Sequence, residues 1–480
     1  MLKHQQRLRL TLVCFVLLLS PALAQGQVQV PDTPAGKQFS AWLSAFNQGG
    51  DTLGQYLKNH FPSRGERASM DLEFSQRTGG FNLRKIEESS VTKIAAVVQE
   101  RAGDQYARIT LEVAPEAPYN IVHFQGVPIP APADFAPPHL TEQQLISELR
   151  KKLATPSGSD SFSGAVLVAK DGKPVFAEAY GLADRDKKTP NTLKTRFHIG
   201  SMNKMFTAVA ILQLAQAGKL DLNAHLGKYL THYPNQDVAS KVTIHQLLTH
   251  TGGTGDFFGP EFDKHRKELR TLNDYMVLFG SRGLAFEPGA KWEYSNYGYL
   301  LLGAVIEAVS GQTYYDYVRE HIYLPAGMSA TGSEPEDAPI PLLAVGYTKH
   351  GPKGPLADWT PNTDTLPYRG TSAGGGYSTV DDLLSFAQAL QQNKLLNAKF
   401  TDLLTSAKVD TPTGSSYGYG FGQHTFNGTR CFGHNGGAPG MNGDLEICPA
   451  AGYVVTALAN IDPPAADRIS QFVLNRLPAK

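Results

Sequence analysis

The sequence predicts an α+β protein with two unequal domains. Near the N-terminus, helical patterns are followed by several strand patterns, which is typical of a small α+β domain. In the longer C-terminal part, strand patterns at both ends bracket a helical stretch, and one antiparallel sheet flanked by helices accounts for this order. We expect a small N-terminal α+β domain at 25–127, a Pro-rich linker at 128–140, and a larger domain that includes a helical subdomain at 141–480.

The first 24 residues are typical of an export signal. An apolar run at Leu10–Leu19 precedes an A-x-A-type cleavage site that ends at Ala24, and the basic start consists of Lys3, Arg7 and Arg9. The run is short for a membrane span, and an uncleaved anchor is the alternative. We therefore expect a periplasmic or secreted protein without a stable membrane span after cleavage.

Composition and charge exclude several classes of function. The 44 basic and 44 acidic residues give a formal net charge of zero without a long basic run, so no nucleic-acid partner is expected. The chain has no His-Glu-x-x-His helix and no paired-cysteine knuckle, so no metal and no cofactor are expected. His245 and His250 are interpreted as packing residues of a helix. The oligomeric state stays open.

The N-terminal elements begin with one or two amphipathic helices at Phe39–Phe61, broken at Gly49-Gly50. A further helix is predicted at Val91–Glu100, with Ser90 as its N-cap. Strand patterns follow Met70–Phe74, Phe81–Glu87, Tyr106–Val113 and Asn120–Gln125. This element order resembles the cone-shaped NTF2-like fold. No catalytic constellation stands out here, so the domain serves packing or docking, or it holds a small ligand.

The C-terminal elements start with a helix at Thr141–Leu153 and two strands joined by Lys170-Asp171-Gly172-Lys173, a strong hairpin signal. Helical patterns then continue to about residue 330, and the chain closes with a helix at Ala465–Arg476. The strands on either side of the helical stretch are predicted at Gly164–Val168, Pro174–Tyr180, Tyr417–Gln423, Arg430–Phe432, Gly443–Ile447 and Tyr453–Leu458.

Two cysteines, Cys431 and Cys448, remain after the signal and flank a predicted hairpin. Export places them in an oxidising compartment, which favours a disulfide between them. Two buried thiols are the alternative.

The candidate nucleophile lies at a predicted helix start. Gly200 interrupts the preceding segment, and Ser201–Ala217 has apolar residues at helical spacing. Ser201 and Lys204 are three residues apart, so they lie on one face of the first turn. The helix dipole and partial burial both lower the pKa of such a lysine, which then serves as a base for the hydroxyl. The spacing alone is weak evidence, because Ser90 and Lys93 share it and are interpreted as a cap and a surface residue.

Two loops carry further candidates. Tyr294 and Asn296 follow a Pro-Gly loop, and we expect a phenol near an ammonium to have a lowered pKa and the amide to hold substrate or Lys204. A surface loop is the alternative, as for Tyr233 and Asn235, which are interpreted as a turn. In the Gly-rich stretch after a strand, the Gly437 N–H together with that of Ser201 is a candidate oxyanion site.

His434, in the same Gly-rich stretch, contacts substrate or takes part in proton transfer; a structural histidine beside a glycine turn is the alternative.

Three motifs in order resemble the serine beta-lactamase and penicillin-binding-protein superfamily, above all its branch of class C beta-lactamases, D-alanyl-D-alanine carboxypeptidases and esterases. They are Ser201-Met202-Asn203-Lys204, Tyr294-Ser295-Asn296 and His434-Asn435-Gly436, with similar framework segments at 247–253 and 371–379. The resemblance covers about 141–480. It implies a beta-lactamase-like fold and an acyl-enzyme mechanism with Ser201 as nucleophile and Lys204 with Tyr294 as a coupled proton-transfer pair.

One residue departs from that pattern. Lactamases and carboxypeptidases of the family carry a lysine where this chain has His434, and a neutral histidine offers no fixed charge for a substrate carboxylate. This favours hydrolysis of esters, amides or amino-terminal peptides over efficient beta-lactamase activity.

Two rival interpretations remain. Gly370-Thr371-Ser372-Ala373-Gly374 matches G-x-S-x-G, but the buried strand before it and the helix straight after it are missing from the pattern. The other rival is an envelope sensor or binding protein that uses the same pocket without turnover, and the intact Ser201, Lys204 and Tyr294 argue against it.

Overall fold

The computed structural model describes residues 28–65, 68–154, 162–351 and 354–479. The predicted export signal lies outside these residues. Within them, no helix combines the length and apolar character that crossing a membrane requires.

The N-terminal unit contains helices followed by a four-stranded antiparallel meander with its own apolar core. Trp42 and Phe46 of the first helix pack on Phe81 of the sheet, and Phe39 packs against Trp42 in the same core. The helices are Pro34–Gln48, Gly50–His60, Pro62–Gly65 and Ala68–Thr78, and the strands are Phe81–Ser89, Lys93–Glu100, Tyr106–Val113 and Ile121–Ile129. The α+β class agrees with the prediction, and the NTF2-like resemblance stays a prediction.

Two predicted elements of this unit are wrong. Met70–Phe74 is not a strand but part of the helix Ala68–Thr78, whose buried face carries Asp71, Ser75 and Thr78 at helical spacing; because that face is polar, apolar periodicity missed it. Val91–Glu100 is not a helix, since Lys93–Glu100 is a strand with β-branched residues in the sheet centre. Ser90 therefore belongs to the hairpin turn and caps no helix.

The last strand of the N-terminal unit extends into the predicted linker. Strand Ile121–Ile129 runs past residue 127, and a short 3₁₀ turn at Ala133–Phe135 follows it. Pro128 is tolerated because this strand lies at the edge of its sheet.

The C-terminal unit is organised around one eight-stranded antiparallel sheet made from both ends of its sequence, which confirms the prediction. In spatial order the strands are Val409–Asp410, Ser416–Tyr417, Gly422–Phe426, Thr429–Ala438, Met441–Cys448, Tyr453–Ala459, Gly164–Lys170 and Lys173–Tyr180. Cys431 and Cys448 are joined by a disulfide between adjacent strands, as predicted.

The sheet lies between two helical layers because its residues alternate between faces. Ala165 and Leu167 face the buried helix Asn203–Gln216, whereas Val166 and Val168 face the terminal helices Glu142–Ala154 and Ala465–Leu474. The other helices are Gln236–Lys241, Ile244–Leu248, Pro260–His265, Leu272–Phe279, Asn296–Ser310, Tyr314–Val318, Leu324–Ala326, Val380–Gln391 and Ala398–Thr405.

Short strands complete the unit. Phe197–Gly200, directly before Ser201, pairs antiparallel with Gly376–Ser378. This pairing brings the 371–379 segment against the start of the Ser201 helix. The remaining strands are Leu182–Asp184, Thr189–Pro190, Tyr347–Gly351 and Gly354–Pro361.

Candidate active site

Ser201 lies in a tight turn between a strand and the buried helix. Gly200 has φ +50°, and a Cβ at this position would lie 2.7 Å from the Gly437 backbone nitrogen, so only glycine fits. The helix begins at Asn203, two residues after the predicted start, and the Lys204 N–H donates to the Ser201 carbonyl at 3.0 Å. This turn places the Ser201 hydroxyl at the pocket and Lys204 beneath it.

Lys204 is fully buried and contacts only uncharged acceptors. Its Nζ lies 3.1 Å from Ser201 Oγ, 2.7 Å from Asn296 Oδ1 and 2.6 Å from the Ala373 carbonyl oxygen. Burial lowers the pKa of Lys204 to about 7, although the charge of Asp256 raises it slightly in opposition. A large fraction of this amine is therefore neutral near pH 7 and able to accept the Ser201 proton.

Tyr294 closes the arrangement from the other side. Its side chain is hydrogen-bonded to Ser201, and Lys204 Nζ lies 4.7 Å from the centre of its ring. The expectation of a lowered pKa is wrong, because burial raises the pKa of Tyr294 above its ordinary value. Tyr294 is consequently a neutral hydrogen-bonding phenol in the free protein.

Asn296 is held in one orientation. Its Nδ2 donates to Asp256 Oδ2 at 2.7 Å, which leaves Oδ1 to accept from Lys204. The preceding residue, Ser295, caps helix Asn296–Ser310 by accepting from the Gly298 N–H at 2.9 Å. This cap fixes the loop that carries both Tyr294 and Asn296.

His250 supports the same loop. Its Nδ1 accepts from the Ser295 N–H at 3.1 Å, and its ring lies 4.4 Å from that of Tyr294. The packing interpretation fits these contacts, but His250 follows helix Ile244–Leu248 with φ +59° and is not in it.

His434 lines the pocket, yet both of its ring nitrogens have protein partners. Nε2 lies 2.9 Å from the Tyr417 hydroxyl and Nδ1 lies 2.5 Å from the Asn435 carbonyl oxygen. Burial and the nearby Lys204 lower the pKa of His434 to about 3, so the ring is neutral. It shapes the pocket wall and carries no fixed positive charge.

Gly437 lies beside Ser201 across a close backbone contact. A Cβ at Gly436 would lie 2.8 Å from the Ser201 nitrogen, and a Cβ at Gly200 would lie 2.7 Å from the Gly437 nitrogen. Ser201 and Gly437, whose N–H groups are predicted as an oxyanion site, both line the pocket.

Ser372 is not placed to act as a nucleophile. Its side chain is fully buried, is not part of the pocket lining, and packs against Gly303. This segment contributes backbone carbonyl groups. The Ser372 carbonyl accepts a hydrogen bond from Thr207, and the Ala373 carbonyl accepts one from Lys204.

The pocket at Ser201 has a volume of about 490 Å³. Ser201, Tyr294, His434 and Gly437 all line it, whereas Lys204 and Asn296 lie behind its wall. Residues from outside the three motifs also line it, namely Arg77, His350, Asn442, Pro463 and Asp467.

Comparison with known proteins decides the family. The family model described as beta-lactamase matches residues 143–480. The chain belongs to the beta-lactamase family. The Bacillus subtilis (strain 168) protein named "Putative penicillin-binding protein PbpX" is 32% identical over 321 residues, which is 67% of this chain and 76% of that protein.

Two solved structures are similar to this beta-lactamase-family chain. A penicillin binding protein from Bacillus halodurans is 32% identical, with a TM-score of 0.59 over 68% of this chain and 96% of that one. A D-stereospecific amidohydrolase from Streptomyces sp. is 27% identical, with a TM-score of 0.57 over 71% of this chain and 98% of that one. The chain is thus an enzyme of the serine hydrolase type with a beta-lactamase-like fold.

Several residues of this beta-lactamase-family site escaped the sequence reasoning. Asp256 accepts a hydrogen bond from Asn296, and the Ala373 carbonyl accepts one from Lys204. Both residues lie in or beside segments similar to the family framework. Arg77 gave no signal, because it comes from the N-terminal unit, far away in sequence.

Proposed function

We propose that the protein is an exported hydrolase that cleaves an ester or amide bond through a covalent acyl-enzyme on Ser201. The observation that carries this proposal is the 3.1 Å contact between Ser201 Oγ and the buried Lys204 Nζ, whose pKa is about 7. A hydroxyl becomes a useful nucleophile only beside such a base.

The geometry supports a stepwise mechanism. Lys204 takes the Ser201 proton while Oγ attacks the substrate carbonyl carbon, and the oxyanion forms beside the N–H groups of Ser201 and Gly437. The C–O or C–N bond to the leaving group then breaks, and the coupled pair of Lys204 and Tyr294 gives the proton to the leaving group. The same pair takes a proton from water as the water attacks the acyl carbon, the bond from that carbon to Ser201 Oγ breaks, and the proton returns to Oγ, which releases the acid and free Ser201.

The substrate class follows from the neutral His434. Without a fixed cation at this position, we expect esters, amides and amino-terminal peptides to be better substrates than penicillins. The Streptomyces amidohydrolase among the similar structures supports amide hydrolysis. The disulfide between Cys431 and Cys448 supports an extracytoplasmic, periplasmic or secreted location.

Mass spectrometry tests this function. The full chain is incubated with activated esters, beta-lactams and D-amino-acid amides, and the expected result is an acyl adduct on the peptide that contains Ser201, with turnover of at least one ester or amide. Ser372→Ala is the matched control and should acylate normally. An adduct that persists in Ser201→Ala would contradict the proposal, and a stoichiometric adduct without turnover would favour the binding or sensor role instead.

A further inference from the structure

Arg77 brings a positive charge into the pocket from outside the hydrolase unit. It is exposed, lies in the last turn of helix Ala68–Thr78 and lines the same cavity as Ser201 and Tyr294. Its guanidinium carbon lies 5.4 Å from the ring centre of Phe74. Across the described ranges, no carboxylate forms a salt bridge with Arg77, so its donors are available to a ligand.

The other titratable groups at or beneath the pocket already have protein partners. His350 Nδ1 lies 2.5 Å from Glu73 Oε1, and its Nε2 lies 3.7 Å from Asp462. Asp467 accepts from Asn435 Nδ2 at 3.1 Å and from Asn442 Nδ2 at 3.0 Å. Lys204 lies beneath Ser201 and is bound to Asn296 and the Ala373 carbonyl. Arg77 is therefore a permanently charged group that has no carboxylate partner in the described part of this pocket.

The backbone of Arg77 is held by the contact between the two units. Arg468, next to Asp467 in the last helix, donates to the Arg77 carbonyl oxygen and forms a salt bridge with Glu100 at 3.3 Å. Both side chains of that pair are largely buried, with exposed fractions of 16% and 5%. Arg476 forms a second, partly buried pair with Asp104. Because these pairs hold the N-terminal unit at the pocket, Arg77 is a built part of its rim.

We propose that Arg77 is a specificity-determining residue that binds a carboxylate on the substrate, so that the N-terminal unit completes the substrate site. The inference rests on the proposed ester or amide hydrolysis at Ser201 and narrows it to substrates with an acidic group. A guanidinium suits this task because it binds a carboxylate through two parallel hydrogen bonds. This charge comes from a different unit and from a different position in the pocket than His434.

Two ester pairs test this inference. Mono-p-nitrophenyl succinate and p-nitrophenyl butyrate differ by a carboxylate on the acyl group. 3-Carboxy-4-nitrophenyl acetate and p-nitrophenyl acetate differ by one on the leaving group. The measured quantity is the ratio of kcat/KM for the acidic ester to that for its neutral partner, compared among variants so that the intrinsic reactivity of each ester cancels. Where reaction stops at the acyl-enzyme, rates of adduct formation give the same ratio.

Arg77→Gln should lower this ratio about tenfold in one of the two pairs, which also tells where the carboxylate is bound, and Arg77→Glu should lower it further. Arg101→Gln is the matched control, because Arg101 is exposed on the same unit, donates to Asn82 and does not line the pocket. The ratio measured for Arg101→Gln should stay within about twofold of the wild-type value. Added salt should reduce the wild-type ratio towards that of Arg77→Gln.

Ratios that are equal in wild type, Arg77→Gln and Arg77→Glu for both pairs overturn the role of Arg77, as does a change of the same size in Arg101→Gln. Ser201→Ala separates this failure from a failure of the proposed function. When Ser201→Ala abolishes hydrolysis of all four esters, the hydrolase stands whatever Arg77 does. When it does not, the proposed function itself is wrong.

Discussion

Two stretches of this chain share the spacing Ser-x-x-Lys but differ in the burial and in the hydrogen-bond partners of the lysine. Ser90 and Lys93 form a hairpin turn, and Lys93 Nζ lies 2.9 Å from Glu88 Oε2 with 37% of the side chain exposed. The hydrogen bond to Glu88 raises the pKa of Lys93. Lys204, by contrast, is fully buried against uncharged acceptors, and its pKa falls to about 7.

The difference shows that burial and the partners of the amine create the base, whereas the spacing only brings the two groups together. A carboxylate beside Lys93 keeps its proton in place, and the amide and carbonyl oxygens around Lys204 orient the amine without holding its charge as strongly. Substitutions in the two stretches therefore separate chemistry from spacing.

The largest effect is expected at the two serines. Ser201→Ala should lower kcat/KM for p-nitrophenyl acetate by about 10⁴-fold or more, because no other hydroxyl contacts the Lys204 amine in the described residues. Ser90→Ala should leave the rate unchanged, since it affects only a surface turn. Steady-state release of p-nitrophenol measures the activity of both variants. Comparable rates for Ser201→Ala and Ser90→Ala would show that Ser201 is not the nucleophile.

The lysines should give the next largest effect. Lys204→Met keeps the length of the side chain but removes the base, and we expect a loss of about 10³-fold in kcat/KM. Lys93→Met serves as its control and should behave as wild type. Thermal unfolding of both variants checks that the fold is intact, and an active, folded Lys204→Met would exclude the amine as base.

Much of the hydrolase unit was predictable because its signals are local or regular. The strands at both ends show clear apolar patterns, and Ser201 with Lys204 needs only one helical turn to meet. Tyr294 was predicted from its motif, but its environment was not. Its raised pKa depends on burial by residues of other elements, such as His250 and His434.

The remaining site residues depend on contacts between distant segments, which single-sequence patterns do not carry. Asp256 acts through Asn296, and Ala373 contributes only a carbonyl oxygen. Arg77 lies in the last turn of a helix that apolar periodicity misassigned, because the buried face of that helix is polar. A sequence pattern identifies a residue type suited to chemistry, whereas packing decides which groups surround it.

The pattern Tyr-x-Asn also occurs twice, at Tyr294 in the site and at Tyr233 in the core. Tyr294→Phe should lower kcat about hundredfold, because the hydroxyl that bonds Ser201 is lost while the ring packing on His250 remains. Tyr233→Phe, in the other Tyr-x-Asn stretch, removes only a hydrogen bond to Tyr297 in the core and should keep its activity. Stopped-flow acylation measures both, and an equal loss in the two variants would indicate a general effect on stability.

The pH dependence of wild-type acylation should report the buried lysine. Lys204 accepts a proton only when neutral, so kcat/KM should rise with pH through about 7 and fall about tenfold for each pH unit below it. An exposed lysine such as Lys93 would place this limb above pH 10, close to the ordinary lysine pKa. A profile flat between pH 5.5 and 8 on a non-ionising ester would show that Lys204 is not the base.

The smallest effect concerns Asp256, the carboxylate that acts on Lys204 from beyond Asn296. Its charge raises the pKa of Lys204, as Glu88 raises that of Lys93, but it contacts the Asn296 amide instead of the amine. Asp256→Asn removes the charge and keeps the shape, so the acidic limb of the profile should move to lower pH with a change in plateau rate of only a few-fold. A limb that moves to higher pH would mean that Asp256 acts on Lys204 through orientation of Asn296 and not through charge.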